Sequence, residues 1–237
     1  MTPSPRRMRL TRELVDRVAH VDTSLAFPFA APTDADYDEI VRSMLAGAPS
    51  PDEVWLFAYG SLIWKPACEF VEQRIGMVRG WHRSFCLGWD RWFRGSDRQP
   101  GLMLSLDRGG QCQGMVYRLP PGAVEANLAK LFRREIRGKP SAHVPRWVNV
   151  RSSDVLLRAI TFVIDRKSER YICGLSLEVI ANALAVAAGP VGSMADYLHS
   201  TVSHLEELGI HDKHLWRLQE LVGERLEATA SSSRLDP

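Results

Sequence analysis

Val54-Trp55-Leu56-Phe57-Ala58-Tyr59-Gly60-Ser61-Leu62 is the stretch whose reading decides the fold. Its first six residues are apolar or aromatic with no polar alternation, the pattern of a strand covered on both faces. Gly60 follows, a residue that permits backbone turns few others tolerate. A turn at a strand end leaves N–H groups without ladder partners, and such donors can hold a carboxylate or a developing oxyanion. The stretch therefore points to a small-molecule site built from backbone at the edge of a β core.

Outward from this stretch the chain keeps a β pattern to about Ile164. Strands are expected at 54–59, 71–78, 82–87, 102–106, 113–119, 147–150 and 156–164, some of them separated by turns such as Arg108-Gly109-Gly110. One helix interrupts the series at 123–136, after Pro120-Pro121-Gly122. Beyond Ser168 the pattern turns helical. A helix at 177–188 stops at Gly189-Pro190, Ser193 with Asp196 resembles a capping box for a helix to Leu208, and Asp212 caps another to about Ala228. Residues 1–53 read as an N-terminal helical extension, with helices at 9–21 (capped by Thr11) and 36–46 before the Pro-rich 47–51. Residues 54–227 read as the main domain and 228–237 as a disordered tail. Strands first, with helices around them, indicate an α+β protein with a curved or barrel-like sheet.

Composition narrows the function classes. The 237 residues are 45% hydrophobic and 24% charged, with a net charge of +2. That charge is too weak to argue for nucleic acid or a membrane surface as partner. No apolar run approaches the roughly 18 residues that would span a bilayer. Cys68, Cys86, Cys112 and Cys173 show no C-x-x-C pairing and no metal-like spacing, which indicates thiols in a reducing cytoplasm.

The helix at 123–136 carries a second signal. Val124, Leu128, Leu131 and Phe132 form an apolar stripe, and at about 100° per residue Glu135 falls on the same stripe. A carboxylate facing a core is costly unless paired, and desolvation raises its pKa toward the range useful to a general base. The alternative is a helix-end glutamate, half exposed or paired with an arginine. Ser61 lacks the G-x-S-x-G elbow of a hydrolase nucleophile and reads as a turn hydroxyl. His199, His204, His211 and His214 lack the spacing of a metal site and read as surface histidines.

The two signals meet in one family. The chain resembles the ChaC-type γ-glutamylcyclotransferases in Phe57-Ala58-Tyr59-Gly60-Ser61-Leu62-Ile63-Trp64-Lys65-Pro66 and in Gly76-x-x-Arg79-Gly80-Trp81-x-Arg83-x-Phe85. It resembles them further in Arg94-Gly95 with Pro100-Gly101, in Gly114-x-x-Tyr117-Arg118-Leu119 and in Arg134-Glu135. Late in the chain, Gly189-Pro190-x-Gly192-x-x-x-x-Tyr197-Leu198 and Leu208-Gly209-Ile210-x-Asp212 also fit, so that the likeness covers about residues 52–225. Ala58 is a departure, since relatives often carry glycine there.

The resemblance implies a small mixed β-barrel of the γ-glutamylcyclotransferase-like type with flanking helices. It implies that Ala58, Tyr59, Gly60, Ser61, Leu62 and Ile63 hold a γ-glutamyl group and that Glu135 is the catalytic base. It places Tyr171 in the pocket, with a packing role equally open; Tyr117 is a weaker candidate. Trp89-Asp90-Arg91-Trp92-Phe93-Arg94 then reads as a loop over the pocket, with Arg94 for a substrate carboxylate. The implied reaction releases 5-oxoproline and cysteinylglycine from glutathione by intramolecular cyclisation, with no metal or organic cofactor, in a monomer or weak dimer. The alternatives are a cyclotransferase for other γ-glutamyl amines or dipeptides, and a non-catalytic γ-glutamyl-binding module.

Overall fold

The computed structural model describes residues 6–18, 25–50 and 52–232. They fall into two compact units: Phe27–Leu87 with Leu104–Tyr171, and the residues up to Ala26 with Gly88–Met103 and Ile172 onward.

The first unit is built on a closed barrel. Strand β1 (Trp55–Ala58) pairs antiparallel with β3 (Gly101–Arg118) and parallel with β5 (Val155–Ile164). Strands β2 (Glu72–Asp90) and β4 (His143–Ser152) complete the order β1-β3-β2-β4-β5. The mixed α+β barrel is the architecture expected. Every residue of β1 is buried, which explains the unbroken apolar run: both faces of a central strand are covered, so neither needs polar residues. Seven expected strands become five because the glycines read as breaks lie inside longer strands. Gly80 (φ 80°), Gly109 (φ 99°) and Gly110 (φ 64°) take left-handed backbone within β2 and β3 without ending them.

Helix α3 (Val124–Glu135) buries Val124, Leu128, Leu131 and Phe132, the expected stripe. Phe132 meets Phe162 of β5 edge-on, with ring centroids 5.9 Å apart. The helix stops at Glu135 because Ile136 takes extended backbone, φ −109° and ψ 92°. Helix α2 (Asp34–Ala46) begins two residues earlier than expected, since Thr33 and Asp36 form the capping box that starts it. It belongs to this same unit, although 1–53 was expected to stand apart as an extension. Tyr37 donates to the Ile136 carbonyl at 2.9 Å, and Trp147 donates to the Met44 carbonyl at 3.0 Å. Gly138 is required beneath the segment before α2, because a Cβ there would lie 2.6 Å from Phe29 Cβ.

The second unit is mostly helical. It holds α1 (Arg12–Val15), α4 (Leu177–Val186), the short pair β6 (Ala188–Gly189) and β7 (Gly192–Ser193), α5 (Met194–Glu207) and α6 (Lys213–Ser232). Thr11, Ser193 and Asp212 accept the expected N-terminal bonds. The first helix is far shorter than 9–21: it ends at Val15, and 19–21 lie outside the described residues. Helix α6 runs past Ala228 to Ser232, into the stretch expected to be disordered; 233–237 lie outside the described residues. No described helix is long and apolar enough to cross a membrane.

None of the four cysteines forms a disulfide; Cys86 and Cys112 are buried and Cys173 is exposed. Burial pushes the Cys86 thiol up to about 12 and the Cys68 thiol up to about 11.

Candidate active site

The end of β1 is held carbonyl by carbonyl. Thr161 Oγ1 donates to the Phe57 carbonyl at 2.9 Å. Gly114 lies so close to the next carbonyl that a Cβ there would sit 2.2 Å from the Ala58 oxygen. The buried Arg83 donates from Nε to the Tyr59 carbonyl at 2.6 Å, and its Nη2 reaches the Gln113 carbonyl. The chain then reverses through a 3-10 turn at Ser61–Ile63, closed by Ile63 N–H to the Gly60 carbonyl at 2.9 Å. Gly60 has φ −138° and not a left-handed value, so the reversal comes from this turn and not from Gly60 itself. Tyr117 donates to the Ile63 carbonyl at 2.9 Å, which fixes the far side of the turn. Its hydroxyl is thereby a structural group, and burial pushes it up to about 12.

Glu135 is the last residue of α3, with a side chain only 14% exposed. Burial raises its carboxyl pKa, and the opposing charges of Arg134 and Arg137 do not cancel the effect. Arg134 Nε stands 3.2 Å from Oε1. The same guanidinium donates to Ser61 Oγ at 3.1 Å and to the Lys65 carbonyl. On the other side, His143 Nδ1 lies 3.6 Å from Oε2, and its Nε2 lies 2.8 Å from the Tyr59 hydroxyl. The structure thus brings Tyr59, Ser61 and Glu135 together. Both readings of Glu135 apply: it is buried on the stripe, and it is paired with an arginine.

Arg134 and His143 were not singled out from the sequence as parts of the site. On the helical wheel Arg134 points away from the stripe, but its long side chain folds back over it. His143 opens β4, stacked at 5.0 Å on Phe162, and a lone histidine has no spacing to betray it.

Tyr171 and Arg94 are engaged elsewhere. The Tyr171 hydroxyl donates to Asp107 Oδ2 at 2.9 Å, beside Arg166 Nε at 2.6 Å from Oδ1. Burial pushes the Asp107 carboxyl up, but Arg166, the Arg108 N–H and the Tyr171 hydroxyl together hold it below its ordinary value. We expect Tyr171→Phe to cost about 1–3 kcal/mol in thermal or chemical unfolding and to leave KM within about twofold. A several-fold rise in KM at unchanged stability would return the hydroxyl to the substrate. In the second unit, Arg94 Nη1 donates to the Ser193 carbonyl at 2.8 Å, stands 3.5 Å from Asp196 Oδ2 and stacks on Tyr197. The loop before it is tied by Asp90, whose carboxylate accepts the Arg94 N–H at 2.6 Å.

Of the C-terminal histidines, His204 bonds the Ser200 carbonyl and His211 bonds Glu206. Among the described residues, no group of three or more His, Cys, Asp or Glu side chains is placed to hold a metal ion.

The turn and the carboxylate both lie within residues 54–225, which match the model of a family described as ChaC-like protein. The chain belongs to the ChaC-like family. This ChaC-like chain is 40% identical over 176 residues to the glutathione-specific gamma-glutamylcyclotransferase of Escherichia coli (strain K12), covering 74% of this chain and 75% of that relative. It is 30% identical over 181 residues to glutathione-specific gamma-glutamylcyclotransferase 1 of Homo sapiens, covering 74% and 81%. Among solved structures it is similar to a yeast gamma-glutamylcyclotransferase specific to glutathione, with a TM-score of 0.65 and 19% identity over 73% of this chain and 96% of that one. That likeness speaks to the fold, and the expected ChaC family and γ-glutamylcyclotransferase-type barrel are borne out.

Proposed function

We propose that this ChaC-like protein cleaves glutathione by cyclising its γ-glutamyl group, with Glu135 as general base and residues 58–63 as the seat of that group. The observation that supports it most is the tie between the two: one guanidinium, Arg134, contacts both Glu135 and Ser61 of the turn.

The substrate's α-amine attacks its own γ-carbonyl. A C–N bond closes the five-membered lactam, and the γ-amide C–N bond breaks. A free α-amine has a pKa of about 8 and is largely protonated near neutral pH. Glu135 takes that proton, the attacking nitrogen gives up a second as the ring closes, and both pass to the departing nitrogen, which leaves as the ammonium of cysteinylglycine, so the enzyme ends unchanged. The substrate supplies its own nucleophile, and the protein's task is to hold the folded-back conformer. Hydrogen bonding within the 3-10 turn begins at Ile63 N–H, so the Ser61 and Leu62 N–H groups precede the first closed bond and face the developing oxyanion in this mechanism. Arg83, bonded to the Tyr59 carbonyl, polarises the Tyr59–Gly60 peptide and strengthens the Gly60 N–H as a donor.

Incubation of purified protein with glutathione should yield 5-oxoproline and cysteinylglycine in equal amounts. Turnover of other γ-glutamyl amines but not glutathione would move the assignment to them, and binding with no turnover would reduce the protein to a γ-glutamyl-binding module. Four cysteines that form no disulfide suit a reducing, cytoplasmic setting, which cell fractionation would check. The monomer or weak dimer remains the proposed state, to be read by sedimentation velocity.

A further inference from the structure

We propose that His143 is a positioning residue for Glu135, holding the base in register with the turn through the Tyr59 hydroxyl. The inference rests on the assignment of Glu135 as base.

The geometry has two ends. At Nε2, the imidazole lies 2.8 Å from the Tyr59 hydroxyl. At Nδ1, it stands 3.6 Å from carboxylate Oε2, and the Glu135 backbone favours a proton on the ring. Glu135 closes α3, so its own carbonyl is one of those a helix end leaves without an internal partner. With its proton on Nδ1, the side that faces Glu135, the imidazole leaves Nε2 to accept from the Tyr59 hydroxyl. The ring is locked from a third side by Phe162 at 5.0 Å. A carboxylate distance of 3.6 Å is beyond a hydrogen bond, and it would shorten once substrate fills the site.

The imidazole is the right kind of neighbour for a base whose affinity for a proton must stay high. Burial lowers its pKa to about 4, with Arg170 adding to the effect against the Glu135 backbone bond. It is therefore neutral where the enzyme works and orients Glu135 without adding a positive charge. The charged groups facing Glu135 are Arg134 and Arg137 from its own segment; Arg170 faces His143, and Tyr59 enters from the turn.

The test compares pH–rate profiles of His143→Phe, His143→Asn and Tyr59→Phe. His143→Phe keeps the ring and loses the donor. It should lower kcat roughly tenfold with little change in KM, and should move the acid limb of kcat to higher pH because the carboxylate loses the donor that closes on it when substrate is bound. His143→Asn keeps a donor near the Nδ1 position and should bring the limb back toward wild type. The Tyr59→Phe/His143→Phe pair should match His143→Phe alone. An acid limb unmoved in His143→Phe, or losses that add in the pair, would overturn the proposal. Should His143→Phe fail to fold, an acid limb unmoved in Tyr59→Phe would overturn it. Glu135→Gln separates the two levels: full activity there defeats the base assignment itself, whereas an inactive Glu135→Gln beside an unmoved His143→Phe limb defeats only the role of His143.

Discussion

Glutamine at position 135 should abolish turnover while the protein stays folded and still binds substrate. The replacement keeps the shape and removes the proton acceptor, and a positioned general base is worth roughly 10²- to 10⁴-fold in rate. The structural cost is small, because the Arg134 guanidinium keeps its bonds to Ser61 Oγ and the Lys65 carbonyl. The pH dependence carries the same assignment. Burial disfavours the charged form of Glu135 and raises its pKa, and the base works only when ionised. Activity is therefore present above that raised pKa and is lost as pH falls through it, so the acid limb should lie above the ordinary carboxylate range. Measurement of 5-oxoproline release by Glu135→Gln decides the matter: near-wild-type rates would end the case for this residue.

Arg83→Met should cost both stability and rate. Arg83 is 5% exposed and bonds two backbone carbonyls, those of Tyr59 and Gln113. Each carbonyl left without a partner in a buried place costs about 1–3 kcal/mol. For a chain of this size each kilocalorie lowers the melting temperature by about 2–4 °C. The rate falls separately, because the Tyr59–Gly60 peptide loses both its anchor and its polarisation just ahead of the turn. Arg83→Lys should recover only part of either loss, since an ammonium lacks the planar fork that reaches two acceptors at once. Thermal melts with steady-state kinetics would check this; a Met variant with wild-type melting and wild-type kcat would leave Arg83 no role at the turn.

Much of this was legible in the residues. The unbroken run before Gly60 announced a central strand, and the spacing of Val124, Leu128, Leu131 and Phe132 placed Glu135 on the inner face of α3. Local pattern did not reveal how the strands join, because Gly80, Gly109 and Gly110 look like turns and act as bends inside β2 and β3. Nor did it reveal what surrounds the carboxylate. His143 arrives through pairing of β4 with β5, which sets it opposite Ile164, and no short-range spacing encodes that. Arg134 was misjudged by the wheel because a guanidinium on a long stem need not follow its Cα–Cβ direction. Tyr171 read equally as a pocket or a packing residue, because its bond to Asp107 spans 64 positions of sequence.

The withdrawal of Cys68 and Cys86 from water, partial for the first and complete for the second, has a redox consequence. Glutathione, the proposed substrate, is itself a thiol and in its oxidised form a disulfide, and exchange proceeds through the thiolate. With their pKa values pushed up to about 11 and about 12, these two side chains hold almost no thiolate near neutral pH. A protein that draws glutathione to its surface is thereby guarded at both positions against capture in a mixed disulfide.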